Sequence, residues 1–389
     1  MATIILIVIY AAFLGRGMPD SITGSAWTMM STEFGVPDSY LSFITVTISL
    51  VTAITSLFSA RLIKKFGTYW VAGVALFALA LTLLGYYLST SFILLCVLAV
   101  PLGCFAGVLD NSLNDYMANH YKAMYLNIMH GIYGLGAALS PLLISIALSN
   151  SGNWRGGYFL SFLVISAIAV IFCISKPFWK KNSTQTEEIA EIKTYPLTSQ
   201  LKDKKVWLVC ACVFFTNAIE AIFAVYGNTY LVSGTGISEI EAPKIIMCFC
   251  LCMGIGRMIS GFLTIKVSNR AILMGCASLL ILPVLLLFFN MPIPVLYVVF
   301  GVIGFVNGPV YPSILYITPD NFGKDKSASI MGTEIAVAYT GFVVSQFLFS
   351  LLISWFSIEA FPILAFGLAA LMFVFVFLAD RNHKKSYNK

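Results

Sequence analysis

The sequence predicts an all-α membrane protein, with twelve transmembrane helices arranged as two parallel six-helix repeats. Three observations carry that expectation. Apolar segments of about 20 residues, the length that crosses the hydrocarbon layer of a bilayer, recur along the whole chain. Lys and Arg gather on alternate connections between those segments. The two halves of the chain also match one another at a constant offset, the distance from Gly103 to Gly304.

In chain order the segments cover roughly 4–30, 40–60, 69–88, 92–114, 125–148 and 157–179, then 206–231, 242–264, 270–290, 295–317, 327–353 and 359–379. They read as helices because none shows the ten-residue alternation of a membrane barrel. A composition of 59% hydrophobic and 10% charged residues excludes a soluble globular class. The first segment is not expected to be a signal peptide, since it lacks a basic start, carries Arg16 and Asp20, and runs past the length of a signal core. The expected organisation is a six-helix bundle over 1–175, a linker over 176–205, a second bundle over 206–380 and a tail over 381–389.

Of the 23 Lys and Arg, Arg16 and Arg257 fall inside spans and Arg155 and Lys244 on one side; all the others fall on the opposite side. That bias predicts a multi-pass protein of the cell membrane with both termini and the linker in the cytoplasm. Because the basic residues report topology, the net charge of +6 does not point to nucleic acid. The sequon Asn182–Thr184 lies in the expected cytoplasmic linker and is read as a chance match. Cys248, Cys250 and Cys252 alternate on one helix, which sets Cys250 away from the other two and makes a poor tetrahedral cage. No metal or cofactor is expected.

The repeat pairs Phe34-Gly35-Val36 with Thr235-Gly236-Ile237, Ser59-Ala60 with Ser260-Gly261, Lys65 with Lys266, Gly103 and Gly107 with Gly304 and Gly308, and Gly131 with Gly332. Six spans per half give both repeats the same orientation, so substrate is expected where they meet, near the midplane.

Ionisable groups inside spans are costly and mark pathways. Arg16 and Asp20 share a helix face at i, i+4 and are expected to neutralise one another. Gly15, Gly17, Pro19 and Gly24 around them suggest a broken helix. Asp110 and His130 stand equally far from position 120, so a hairpin sets them at one depth as a relay or hydroxyl clamp, extended by Asn114. Glu220, with Asn217 near it, falls at the depth of Asp20. Tyr133 and Tyr311 sit where they would touch a substrate. Arg257 and Glu334 are expected to pair as a structural or gating ion pair. Trp27, Trp154, Tyr158, Trp207 and Trp355 fall near span ends and read as interfacial anchors.

A parallel repeat of six and six with a basic central loop resembles the major facilitator superfamily over nearly the whole chain. In the connection after the second span, Lys65 and Gly67 match that superfamily's signature, while Ala60 and Lys64 replace its Gly and its acid. Leu102-Gly103-Cys104, Leu126-Asn127 with Gly136, and Asp20 resemble fucose-permease-like sugar symporters. The resemblance implies alternating access and proton-coupled uptake of a small polar solute, a sugar or polyol, by a monomer in the bilayer. Export of amphipathic compounds is the rival expectation, and a non-transporting sensor a remote one. No GxxxxGK[ST] stretch, GxSxG elbow or His-Glu metal motif is present, so neither direct ATP use nor an enzyme is expected.

Overall fold

The computed structural model describes residues 2–121, 123–179, 197–200, 202–264 and 266–387. Among the described residues there is no strand, and twelve helical spans are long and apolar enough to cross a membrane. Spans 1 to 6 are Thr3–Phe34, Asp38–Thr55, Thr68–Leu88, Phe92–Met117, Ile128–Ser151 and Arg155–Ile174. Spans 7 to 12 are Lys204–Gly234, Ala242–Leu263, Asn269–Leu286, Ile293–Phe322, Ile330–Phe356 and Ile358–Arg381. The short helices Lys176–Trp179 and Leu197–Gln200 flank the linker, whose Lys180, Lys181, Asn182 and Lys193 lie outside the described residues. Below, the basic end is the end of the spans that carries the Lys- and Arg-rich connections, and the far end is the other.

Local chemistry sets the ends. Ser91, Ser268 and Asp203 cap spans 4, 9 and 7 by accepting backbone N–H bonds from Leu94, Ala271 and Lys205. Gly35 and Gly236, a matched pair in the repeat, both end their helices at positive φ, 63° and 75°, where only glycine avoids a Cβ penalty.

Two expectations about helix continuity change. Span 1 runs unbroken from Ala2 to Phe34 with Pro19 inside it. Its glycines serve close approach instead: a Cβ at Gly17 would lie 2.2 Å from the Tyr133 carbonyl, and one at Gly24 2.4 Å from the Val225 carbonyl. The interruption falls in span 10, which consists of two helices, Ile293–Asn307 and Val310–Phe322, separated at Gly308-Pro309.

Packing follows the repeat. Spans 2 and 4, 1 and 5, and 3 and 6 pack on one another, as do their counterparts 8 and 10, 7 and 11, and 9 and 12. A Cβ at Gly103 would meet the Ile48 carbonyl at 2.4 Å and one at Gly107 the Thr52 carbonyl at 2.5 Å. Shifted by the repeat offset on both partners, Gly304 meets the Phe249 carbonyl at 2.1 Å and Gly308 the Met253 carbonyl at 2.4 Å. The same backbone contact is thus built twice.

The two sets of six spans meet along spans 5 and 8, which pack far more extensively than their symmetry mates 2 and 11. At the far end hydrogen bonds tie the sets together: Thr28 donates to Glu239, Ser145 to the Ile240 carbonyl at 2.7 Å, and Ser350 to the Ser39 carbonyl at 2.7 Å. Trp27, Trp154 and Tyr158 are buried rather than interfacial. Trp27 Nε1 donates to the Asp38 carbonyl and Trp154 Nε1 to Glu33, bonds that hold the indoles inward. Trp207 and Trp355 are exposed at span ends as expected.

Candidate functional site

Midway along span 1, Arg16 and Asp20 face the meeting of the two sets of spans. Arg16 Nη1 pairs with Asp20 at 2.9 Å, and Arg16 Nε donates to the Ala106 carbonyl of span 4 at 3.2 Å. The i, i+4 spacing delivers the pair, and the Ala106 bond fixes the guanidinium plane. Tyr133 of span 5 donates its hydroxyl to Asp20, and its ring lies under the guanidinium, 5.8 Å from centroid to Cζ. Arg16 is nearly buried, whereas the Asp20 side chain keeps 22% exposure. The carboxylate is therefore the open member of the triad.

The other set of spans carries a counterpart. Arg257 of span 8 pairs with Glu220 of span 7 at 2.7 Å, each side chain 12% exposed. Arg257 Nε donates to the Gly308 carbonyl of span 10 at 3.3 Å. Each arginine is thus anchored through Nε on a backbone carbonyl, Ala106 and Gly308, one residue out of register in the repeat, leaving a terminal nitrogen for an acid. Fixed in this way, an arginine stays in place beside its carboxylate, and any group that displaces the carboxylate must replace that pairing.

Asp110 of span 4 lies within reach of the charge of Arg16. Tyr339 of span 11 donates its hydroxyl to Asp110 Oδ2 at 3.0 Å, and Asn114 Nδ2 approaches Oδ1 at 3.4 Å and donates to the Asp110 backbone carbonyl at 3.0 Å. Asp110 is hydrogen-bonded by neutral donors from both sets of spans. A neutral donor is exchanged for a substrate hydroxyl at lower cost than a paired cation.

Several expected partnerships differ. Asp110 and His130 do not form the expected clamp. The His130 ring sits edge-on to Phe13 with centroids 5.5 Å apart, and Asp110 is taken by Tyr339. The hairpin count fixes depth but not the rotation of each helix about its axis, and rotation decides the contact. His130 still lies within reach of the charges of Asp110 and Arg257. Arg257 does not pair with Glu334: the Gly308 anchor turns its guanidinium toward span 7, and Glu334, fully buried, faces Thr318 of span 10. Asn217 donates to the Val213 carbonyl of its own helix at 2.8 Å. Tyr311 is partly buried among the charges of Arg257, Glu334, Asp110 and Glu220. Lys65 and Gly67 lie at the basic end, away from this constellation; Gly67 turns the chain between helices at φ 81°, and Lys65 Nζ stands 5.1 Å from the Phe66 ring centroid.

Tyr339 and Thr318 are the residues that sequence reasoning left without a role. Neither carries a sequence signal: under the repeat offset Tyr339 falls eight residues beyond Met331, the match of His130, and so away from the depth counted for Asp110.

This chain belongs to the Major Facilitator Superfamily, whose model matches residues 6–333 and again 227–389. The family and the relatives named as transporters point to a transporter rather than an enzyme. It is 23% identical over 250 residues to the glucose/mannose transporter GlcP of Bacillus subtilis, a match covering 61% of this chain and 60% of that one. It is 22% identical over 395 residues to Bypass of stop codon protein 6 of Saccharomyces cerevisiae, covering 92% and 79%. Similarity to the human Sodium-dependent glucose transporter 1 is 24% over 278 residues, covering 61% and 52%. The chain thus spans less than two thirds of the length of either glucose transporter.

Proposed function

We propose that the chain carries a small polar solute, a sugar or polyol, into the cell with a proton, the basic end of the spans facing the cytoplasm. The observation that carries the reading is the central constellation itself. It joins two anchored arginine–carboxylate pairs, one from each set of spans, with an Asp110 held by neutral donors. Hydroxyl-rich solutes are recognised by such groups, since each hydroxyl both donates to a carboxylate and accepts from Tyr, Asn or Arg. The glucose transporters among the relatives support the sugar class.

In this reading Asp20 and Glu220 stay paired with Arg16 and Arg257, and Asp110 exchanges Tyr339 for substrate or proton. Because Asp110 belongs to span 4 and Tyr339 to span 11, that exchange loosens a bond between the two sets of spans, which alternating access requires. The test is uptake of radiolabelled hexoses, polyols and carboxylates into proteoliposomes under an imposed pH gradient. Gradient-driven accumulation of a neutral hydroxylated solute is the expected result. Uptake confined to carboxylates or to apolar compounds overturns the substrate class.

A further inference from the structure

Glu334 is fully buried in span 11 and belongs to none of the pairs above. Among the described residues it makes no ion pair within 4.0 Å. Its side-chain contact is the Thr318 hydroxyl of span 10, at 2.7 Å from Oε1 and 3.0 Å from Oε2. The same hydroxyl lies 3.1 Å from the Ile314 carbonyl of its own helix.

A threonine hydroxyl has one proton to donate and lone pairs to accept with. If Thr318 gives its proton to Glu334, the Ile314 contact loses its hydrogen, and among the described residues the buried carboxylate has one donor for two oxygens and no cation. If Thr318 donates to Ile314, its lone pair is free to accept, and the chain Glu334 O–H to Thr318 Oγ1 to Ile314 carbonyl is complete. The second arrangement buries no charge, and an uncompensated ion in the membrane interior is the costlier state.

The groups facing Glu334 reinforce this. Among the described residues, Cys210 and Cys212 of span 7 and Tyr311 of span 10 are the titratable side chains that sense it, and in their ordinary protonated forms they supply no positive charge. On its own helix Lys326 lies two turns toward the basic end, about 12 Å away by helical rise. Asp320, beyond Thr318 on span 10, is exposed, and Lys205 starts span 7 at the basic end. Span 2 meets span 11 at the far end, through Ser42 and Ser350.

We infer that Glu334 and Thr318 form a proton-binding site in the second set of spans, distinct from the central carboxylates, and that Glu334 carries its proton in this conformation. Parting of spans 10 and 11 admits water, ionises Glu334 and releases the proton; closure takes it up again. Only the use of this proton in transport rests on the proton-coupled reading proposed above.

Infrared spectroscopy of the purified full chain at neutral pH, taken as the difference between the unsubstituted protein and Glu334→Gln, tests the site. Loss of a protonated-carboxyl carbonyl band in the variant is expected. Loss of an ionised-carboxylate band instead overturns the proposal. Thr318→Val keeps the acid and removes its hydrogen-bond acceptor, so the same band should shift in frequency; an unmoved band overturns the Glu334–Thr318 chain even if Glu334→Gln folds poorly. In proteoliposomes, Glu334→Gln should retain substrate exchange while proton-driven accumulation falls to the level set by the substrate gradient alone. Unchanged accumulation overturns the role in transport. Absence of proton coupling in the unsubstituted protein defeats the proposed function while leaving the infrared assignment standing.

Discussion

Replacing Glu220 by Gln removes the carboxylate that Arg257 meets at 2.7 Å and leaves the guanidinium in mid-bundle with its Nε bond to Gly308. Both side chains are only 12% exposed, so water compensates little of the lost attraction. Breaking a buried pair from one side costs about 3–5 kcal/mol, and the surviving Gly308 bond places Glu220→Gln near the lower end, about 3 kcal/mol. That is roughly a hundredfold in the folded-to-unfolded ratio. Arg257→Gln strands the acid and should cost a similar amount. The double variant buries two neutral amides, so it should recover about 2 kcal/mol of the summed losses. The assay is a double-mutant cycle on the purified protein, following denaturant unfolding by tryptophan fluorescence. Single-variant losses that simply add in the double variant would refute the pairing.

Tyr133→Phe removes the hydroxyl donated to Asp20, a bond to a charged group of about 1.5–3 kcal/mol; substrate affinity should weaken by about tenfold or more, and an unchanged KM would show that Tyr133 does not order the site. Gly103→Val and Gly304→Val place side chains against the Ile48 and Phe249 carbonyls, so both should lower thermal stability by similar amounts, whereas Gly275→Val, which meets nothing within 4 Å, should not. Glu239, between spans 7 and 8, has its pKa raised by burial at the far-end seal, opposed by the Thr28 hydrogen bond and reinforced by the charge of Asp38. The sealed state therefore holds the Glu239 proton more tightly than a solvated state does. Sealing is favoured as pH falls below that raised pKa and weakened as pH rises through it. Labelling of Ser350→Cys from the far side should become faster with rising pH, and Glu239→Gln should abolish the dependence.

The spans were legible because segment length and hydropathy depend on the chain alone. Gly103, Gly107, Gly304 and Gly308 were legible for the same reason, since a small residue is needed wherever two backbones touch, and both halves need it at the same place. Arg16 and Asp20 share a helix, so their spacing alone predicts the contact at 2.9 Å. Partner choice between helices was not legible. Arg257 has Glu220 and Glu334 at accessible depths, and the Gly308 carbonyl, an acceptor that no side-chain pattern announces, selects Glu220. The same applies to Asp110: the depth count points to His130, and the structure gives Tyr339. Pro19 suggested a break that packing of Gly17 and Gly24 overrides, while the actual break at Gly308-Pro309 lay inside a segment read as continuous.

Proton and hydroxylated solute are proposed to share the constellation around Asp110. Proton movement on adding a transported sugar to proteoliposomes, with no imposed gradient, measures it most directly. External alkalinisation in step with sugar entry is expected, abolished in Asp110→Asn while sugar binding persists. Sugar entry without proton movement, or full coupling in Asp110→Asn, would contradict it.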